Sequence, residues 1–214
     1  MRALAVLIAL ALGGHASRTA HADPPVYFSG RWLLTQYWIA AEQPGAHDRH
    51  AVPIRTRAGD LLAMSCPRFV DDLSMEGTGR TWDGRLLNWD ARLHGRPCFV
   101  EVDRESYPYG VGVSGYALVP FRSLAVDRRF IAIGHTVEIP EIAGLPLPDG
   151  TRHDGCFVAV DGGGAINGHH IDLFVPSEAA WRDAGHAGYF PHHVHQVVVD
   201  SARCAYARRY AILP

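Results

Sequence analysis

A chain of 214 residues with 48% hydrophobic content and no repeated or low-complexity stretch suits a compact domain, not a disordered or fibrous one. Its formal net charge is −2, a slightly acidic balance unlike the strongly basic one typical of nucleic-acid binders. No nucleic-acid partner is expected.

Met1 and Arg2 precede the apolar run Ala3–Leu12, which is too short to cross a bilayer, and Ala20-His21-Ala22 offers a small-x-small cleavage site. Residues 1–22 are therefore expected to be a signal peptide, and residues 23–214 a single exported domain, periplasmic or secreted. No cysteine near the cleavage site could carry a lipid and no later run is long and apolar enough to span, so no membrane anchor is expected. All four cysteines, Cys66, Cys98, Cys156 and Cys204, follow the leader, and an even count in an exported chain favours two disulfides. Three pairings are possible; Cys66 with Cys98 and Cys156 with Cys204 is preferred. No pair has the CxxC spacing of a zinc site.

Short apolar runs at Trp32–Ile39, Phe99–Val102, Tyr116–Pro120, Thr136–Ile139, Cys156–Val160, Ile171–Val175 and Gln196–Val199 alternate with clusters of Gly, Pro, Asp and Asn. That is the rhythm of an all-β fold. One helix is expected over Glu178–Asp183, capped by Ser177 and ended by Gly185, and a second short one near Phe121–Leu124.

The run from Cys156 to Phe174 places Asp161 and Asp172 at the ends of two apolar strands, with the glycine-rich link Gly162–Gly168 between them. Glycines permit positive φ and a tight turn, so the two carboxylates can face one another. Each aspartate alone reads as ordinary turn or strand-edge chemistry. The string as a whole resembles the DxGGAIxGxxIDxF signature of the 3D (three-aspartate) domain family, found in membrane-bound lytic transglycosylase A and in small secreted muramidases. Leu124–Gly134 is similar to the family's AVDPxxIPxG segment except that Arg128 and Ala132 replace its prolines, and the match makes Asp127 the third candidate aspartate. The resemblance runs from Leu124 through about residue 200, with fainter echoes at Leu34–Tyr37 and Glu76–Arg85.

The resemblance implies a six-stranded double-psi β-barrel with additional strands and one or two short helices. It implies a peptidoglycan lytic transglycosylase, cleaving the β-1,4 bond from N-acetylmuramic acid to N-acetylglucosamine and leaving a 1,6-anhydro end. Asp172 matches the acid/base and Asp161 and Asp127 its supporting aspartates. Thr35, Tyr37, Gly163, Gly164, Ala165, Asn167 and Gly168 match positions that contact the glycan. No cofactor or metal is required, and peptidoglycan glycan strands are the expected partner. Gly162 stands where Thr or Val is common and Asn167 where Lys is common, and neither change removes a carboxylate.

An acid at neutral pH needs a carboxyl whose pKa is raised by burial or a like charge. Asp161 and Asp172 would supply that for one another, and the sequence does not say which carries the proton. Trp38, Trp82, Trp89, Tyr107, Tyr109 and Trp181 are candidate sugar platforms, each more often a core or surface aromatic. His169-His170 and the His192–His195 cluster lack HExxH spacing, which places metal chemistry below the carboxylates. Two other readings fit the barrel: an inverting glycoside hydrolase, and an expansin-like module that binds wall glycan without cutting it.

Overall fold

The computed structural model describes residues 24–45, 50–186 and 190–213. The expected signal peptide lies outside the described residues. In chain order the strands are β1 (Val26–Tyr37), β2 (Ala40–Ala41), β3 (Val52–Arg55), β4 (Leu61–Ser65), β5 (Thr78–Arg80), β6 (Leu86–Leu93), β7 (Arg96–Val102), β8 (Ser123–Val126), β9 (Thr136–Glu138), β10 (Cys156–Asp161), β11 (His170–Phe174) and β12 (His193–Val199). Helix α1 spans Pro67–Glu76 and α2 spans Glu178–His186. Six strands close into a barrel in the order β1-β11-β8-β10-β9-β12, with the β1/β11 and β8/β10 pairs parallel and the rest antiparallel.

Alternation along each strand divides the side chains between two faces. Trp32, Leu34, Leu124, Val126, Val137, Phe157, Ile171, Leu173 and Val197 fall in one cluster to which all six barrel strands contribute, so this set fills the interior. Tyr37, Ala125, Val158, Val160 and Phe174 point the other way and form a second cluster on the outer wall with Leu86 and Leu118. That outer wall is where the chain from β2 to β7 packs.

This insertion is a four-stranded sheet, β2-β5-β6-β7, with the β3/β4 hairpin and α1. It has its own core of Ile54, Phe69, Leu73, Leu87 and Phe99. Adjacent β6 residues link the two bodies of packing, since Leu86 joins the outer-wall cluster and Leu87 the insertion core. Helix α1 starts at Pro67, whose fixed φ suits a first helical turn, and stops at Gly77, left-handed at φ 78° with its N–H on the Leu73 carbonyl.

Several sequence expectations are corrected. The Phe121–Leu124 segment is not helical: Phe121 has φ 59°, and Ser123–Val126 is the fully buried strand β8, which shows no alternation because it is covered on both faces. Tyr116–Pro120 is not a strand and makes only an isolated bridge between Val111 and Ala117. Cys156 and Cys204 are bonded, with Cα atoms 5.3 Å apart, which fastens the C-terminal 3-10 segment Ala202–Tyr210 to β10. The second expected disulfide is absent: Cys66 ends at the start of α1 and Cys98 is buried in β7, and both are free. Helix α2 forms where expected, with Ser177 Oγ accepting from the Ala180 amide at 3.0 Å.

Candidate active site

Strand β8 lies between β11 and β10, and Ala125 at its centre is paired with Asp172 on one side and Asp161 on the other. Asp172 is in turn paired with Thr35 of β1. Thr35, Asp172, Ala125 and Asp161 thus form one rung across four strands. Ile171 and Leu173 face the interior, which turns Asp172 to the outer wall. Asp161 has the parity of inward-facing Ala159, yet a register shift between these two residues turns it out as well. Ala125, buried in the outer-wall cluster, puts only a methyl group between the two acids.

The glycine-rich link is therefore not the turn of a hairpin, which corrects the expected face-to-face geometry. Residues 162–169 cross over the end of β8, and β10 and β11 each pair with β8 instead of with one another. Neighbouring strands are about 4.8 Å apart, so the two aspartate backbones are separated by roughly 10 Å. The carboxylates still share one field, because each strand directs its aspartate to the same side.

Both acids are raised from 3.8 to about 6, chiefly by burial. For Asp161 the nearby Asp172 charge adds to this rise. Their donors differ. Asp161 accepts from the Gly162 amide at 2.8 Å and the Tyr37 hydroxyl at 3.1 Å, and the Val113 amide beside it also favours the charged form. Asp172 accepts from the Thr35 hydroxyl at 2.7 Å. Donors stabilise the ionised form, and the additional donors on Asp161 offset its deeper burial, so the two carboxyls end near the same value. Burial also pushes the Tyr37 phenol upward, so it stays a donor.

The cover over Asp161 comes from the segment after β7. A Cβ at Gly112 would lie 2.4 Å from the Val160 carbonyl oxygen, so only glycine lets this segment close on β10 and bring the Val113 amide to Asp161.

Asp127 has another role in the geometry. Its carboxylate accepts from the Arg129 guanidinium and amide and, at 2.7 Å, from the Gly168 amide. The Arg129 hydrogen bonds hold it well below the usual carboxylate range. It fastens the crossing loop to the end of β8 and stays ionised. Within that loop Ile166 is buried against the outer wall, Asn167 Nδ2 donates to the Gly164 carbonyl at 2.9 Å, and Gly163, Gly164 and Ala165 lie exposed beside Asp161 in sequence.

One acid escaped the sequence reading. Glu76, the last residue of α1, accepts from the Trp38 amide at 3.0 Å just past the end of β1. Burial raises its pKa from 4.5 to about 7, and the charges of Asp172, Asp72 and Glu178 add to the rise. The insertion therefore places a third carboxyl in the field of Asp172. The signals were Pro67, Gly77 and the Phe69/Leu73 pair four residues apart, which together mark a helix ending at this acid.

Of the aromatic candidates, Tyr37 is in the site and Tyr109 packs edge-on against Phe174. Trp181 packs on Phe190, whereas Trp82 and Trp89 are exposed on the insertion. Thr78 is buried on Asn88 and is a packing residue. Among the described residues no group of three or more His, Cys, Asp or Glu side chains is arranged to hold a metal.

The crossing loop, the rung of acids and the strand that separates them fall inside one matched segment. Residues 122–200 match the 3D domain family. The chain is also 31% identical over 137 residues to the membrane-bound lytic murein transglycosylase A of Escherichia coli K12, covering 62% of this chain and 36% of that protein. The protein of the same description from E. coli O157:H7 gives the same figures. This chain thus spans about a third of the length of the curated relatives it matches. The crystal structure of E. coli MltA with bound chitohexaose superposes with a TM-score of 0.50 at 18% identity, over 79% of this chain and 71% of that one. The 3D segment and its barrel accordingly resemble those of the lytic transglycosylases in fold.

Proposed function

We propose that this protein is an exported lytic transglycosylase acting on peptidoglycan glycan strands, with Asp172 as the acid/base. The observation that carries the reading is the rung in which Asp172 and Asp161 flank Ala125 on the outer wall, both carboxyls raised to about 6. The 3D match and the name of the E. coli relatives support the same chemistry.

Glycoside cleavage builds positive charge at the anomeric carbon while the leaving oxygen needs a proton. Asp172 gives its proton to the glycosidic oxygen as the bond from C1 of N-acetylmuramic acid breaks. The C6 hydroxyl of the same sugar attacks C1, its proton passes to Asp172, and a 1,6-anhydro ring closes. The acid is thereby restored and no water is consumed. Asp161, ionised and held by the Gly162 amide and the Tyr37 hydroxyl, stabilises the developing cation. The Asp127 and Gly168 contact fixes the loop whose Gly163, Gly164 and Ala165 lie exposed for glycan, while Thr35 and Tyr37 hold the two acids.

Export is supported by the Cys156–Cys204 disulfide, a bond that persists in oxidising compartments. Among the described residues no helix is long and apolar enough to cross a membrane.

A second reading is favoured by the intervening β8. A spacing of one strand between two carboxyls leaves room for a water, as in inverting hydrolases. Digestion of purified sacculi followed by mass spectrometry separates the two. Anhydro-ended muropeptides, one water lighter than reducing ends, support transglycosylation, and reducing ends support hydrolysis. Binding to sacculi with no soluble product, unchanged in Asp172→Asn, would establish a glycan-binding module instead.

A further inference from the structure

His170 lies two residues before Asp172 on β11, so both side chains leave the same face of the strand. Its Nε2 is 2.7 Å from Thr35 Oγ1, and that hydroxyl donates to Asp172 Oδ1, also at 2.7 Å. A hydroxyl carries one hydrogen. With that hydrogen committed to Asp172, the short contact to the imidazole is a hydrogen bond only if Nε2 bears a proton and donates it. The three groups form a chain with one direction, from imidazole to hydroxyl to carboxyl.

We propose that His170 is a positioning residue: by donating to Thr35 it holds the threonine hydroxyl toward Asp172 Oδ1, so that the transferable proton of the acid sits on Oδ2. The inference rests on the reading of Asp172 as acid/base and adds the residue that orients it. A proton on Oδ1 would meet the hydrogen of the Thr35 hydroxyl, whereas Oδ2 faces no such conflict. Without the imidazole the hydroxyl rotates between staggered positions, and the carboxyl can then hold its proton on the oxygen turned toward β1. The Nε2–H tautomer and the imidazolium both donate through this nitrogen, so either charge state of His170 serves. The adjacent His169 is engaged elsewhere, stacked on Trp32 at 4.4 Å. The other ionisable groups in this field are Tyr37, Asp161 and Glu76, and none of them bonds to Thr35.

The test uses the purified exported protein and its His170→Ala, His170→Gln, Thr35→Val and His170→Ala/Thr35→Val variants. Two readouts are needed: turnover of glycan strands, and the carboxyl titration of Asp172 followed by carbon NMR. His170→Ala should lower kcat about tenfold with KM within about twofold, and His170→Gln, whose side-chain amide can donate, should recover most of the loss. The Asp172 midpoint should rise in His170→Ala, because the oriented donor that favours the charged form is lost. The double variant should be no worse than Thr35→Val alone. An unchanged kcat and midpoint in His170→Ala, or additive losses in the double variant, would overturn the proposal. Full activity of Asp172→Asn would instead overturn the acid assignment beneath it, while the titration of His170→Ala would still report whether the imidazole orients the threonine.

Discussion

Asparagine at position 172 keeps the shape of the side chain and an oxygen for the Thr35 hydroxyl while removing the ionisable group. The carboxyl of Asp172 has its pKa raised from 3.8 to about 6 by burial. A folded-state value above the unfolded one means that the native protein holds the proton more tightly. Stability is then complete below about pH 4 and is lost as pH rises toward 6 and beyond. A difference of about two pKa units corresponds to about 3 kcal/mol, and partial exposure of the side chain reduces the expected figure to about 1–3 kcal/mol. Asp172→Asn should therefore be inactive yet more stable than the parent at pH 8, by a few degrees in Tm, and equal to it near pH 4. Urea unfolding of both proteins at each pH gives the difference directly. Comparing variant with parent at one pH also cancels His153, which is buried, pushed down to about 4, and destabilises the fold in the opposite direction as pH falls. A variant less stable than its parent at pH 8, or a gap that does not change with pH, would refute the claim that the fold holds this carboxyl against its ionised form.

Turnover should fall above about pH 6 as the acid loses its proton, by up to tenfold per pH unit, and a profile flat to pH 9 would contradict it. Glu76→Gln keeps an acceptor for the Trp38 amide and removes a charge whose cost builds between about pH 4.5 and 7, so it should stabilise at pH 8 by about 1–2 kcal/mol in urea unfolding. Reducing the Cys156–Cys204 bond, which joins residues 48 apart, should cost about 2–4 kcal/mol, seen as a lower Tm in dithiothreitol that a Cys66→Ser/Cys98→Ser variant shares. Gly112→Ala sets a methyl against the Val160 carbonyl, so it should destabilise by about 1–3 kcal/mol and lift the Val113 amide from Asp161, shifting the pH profile upward.

The barrel strands β1, β9, β10, β11 and β12 were legible because each is an apolar run bounded by turn residues. Strand β8 was not, since four consecutive buried residues carry neither a strand nor a helix period. The aspartates were found through their signature, but their arrangement was hidden. Residue spacing could not reveal that β8 passes between them, nor that a register shift turns Asp161 outward. The insertion was the least legible part: β2 has two residues and β5 three, too few to show a period, and α1 depends on its end signals more than its pattern. The Cys66–Cys98 pairing failed because parity of cysteine count says nothing of where two side chains lie.

Carbon NMR of protein labelled at the aspartate carboxyls measures the claim on which the chemistry rests. Two resonances should titrate near pH 6, one disappearing in Asp172→Asn and the other in Asp161→Asn, with Asp127 titrating far below both. If the Asp161 and Asp172 resonances both titrate at or below pH 4, neither residue holds a proton at neutrality and the proposed acid does not exist.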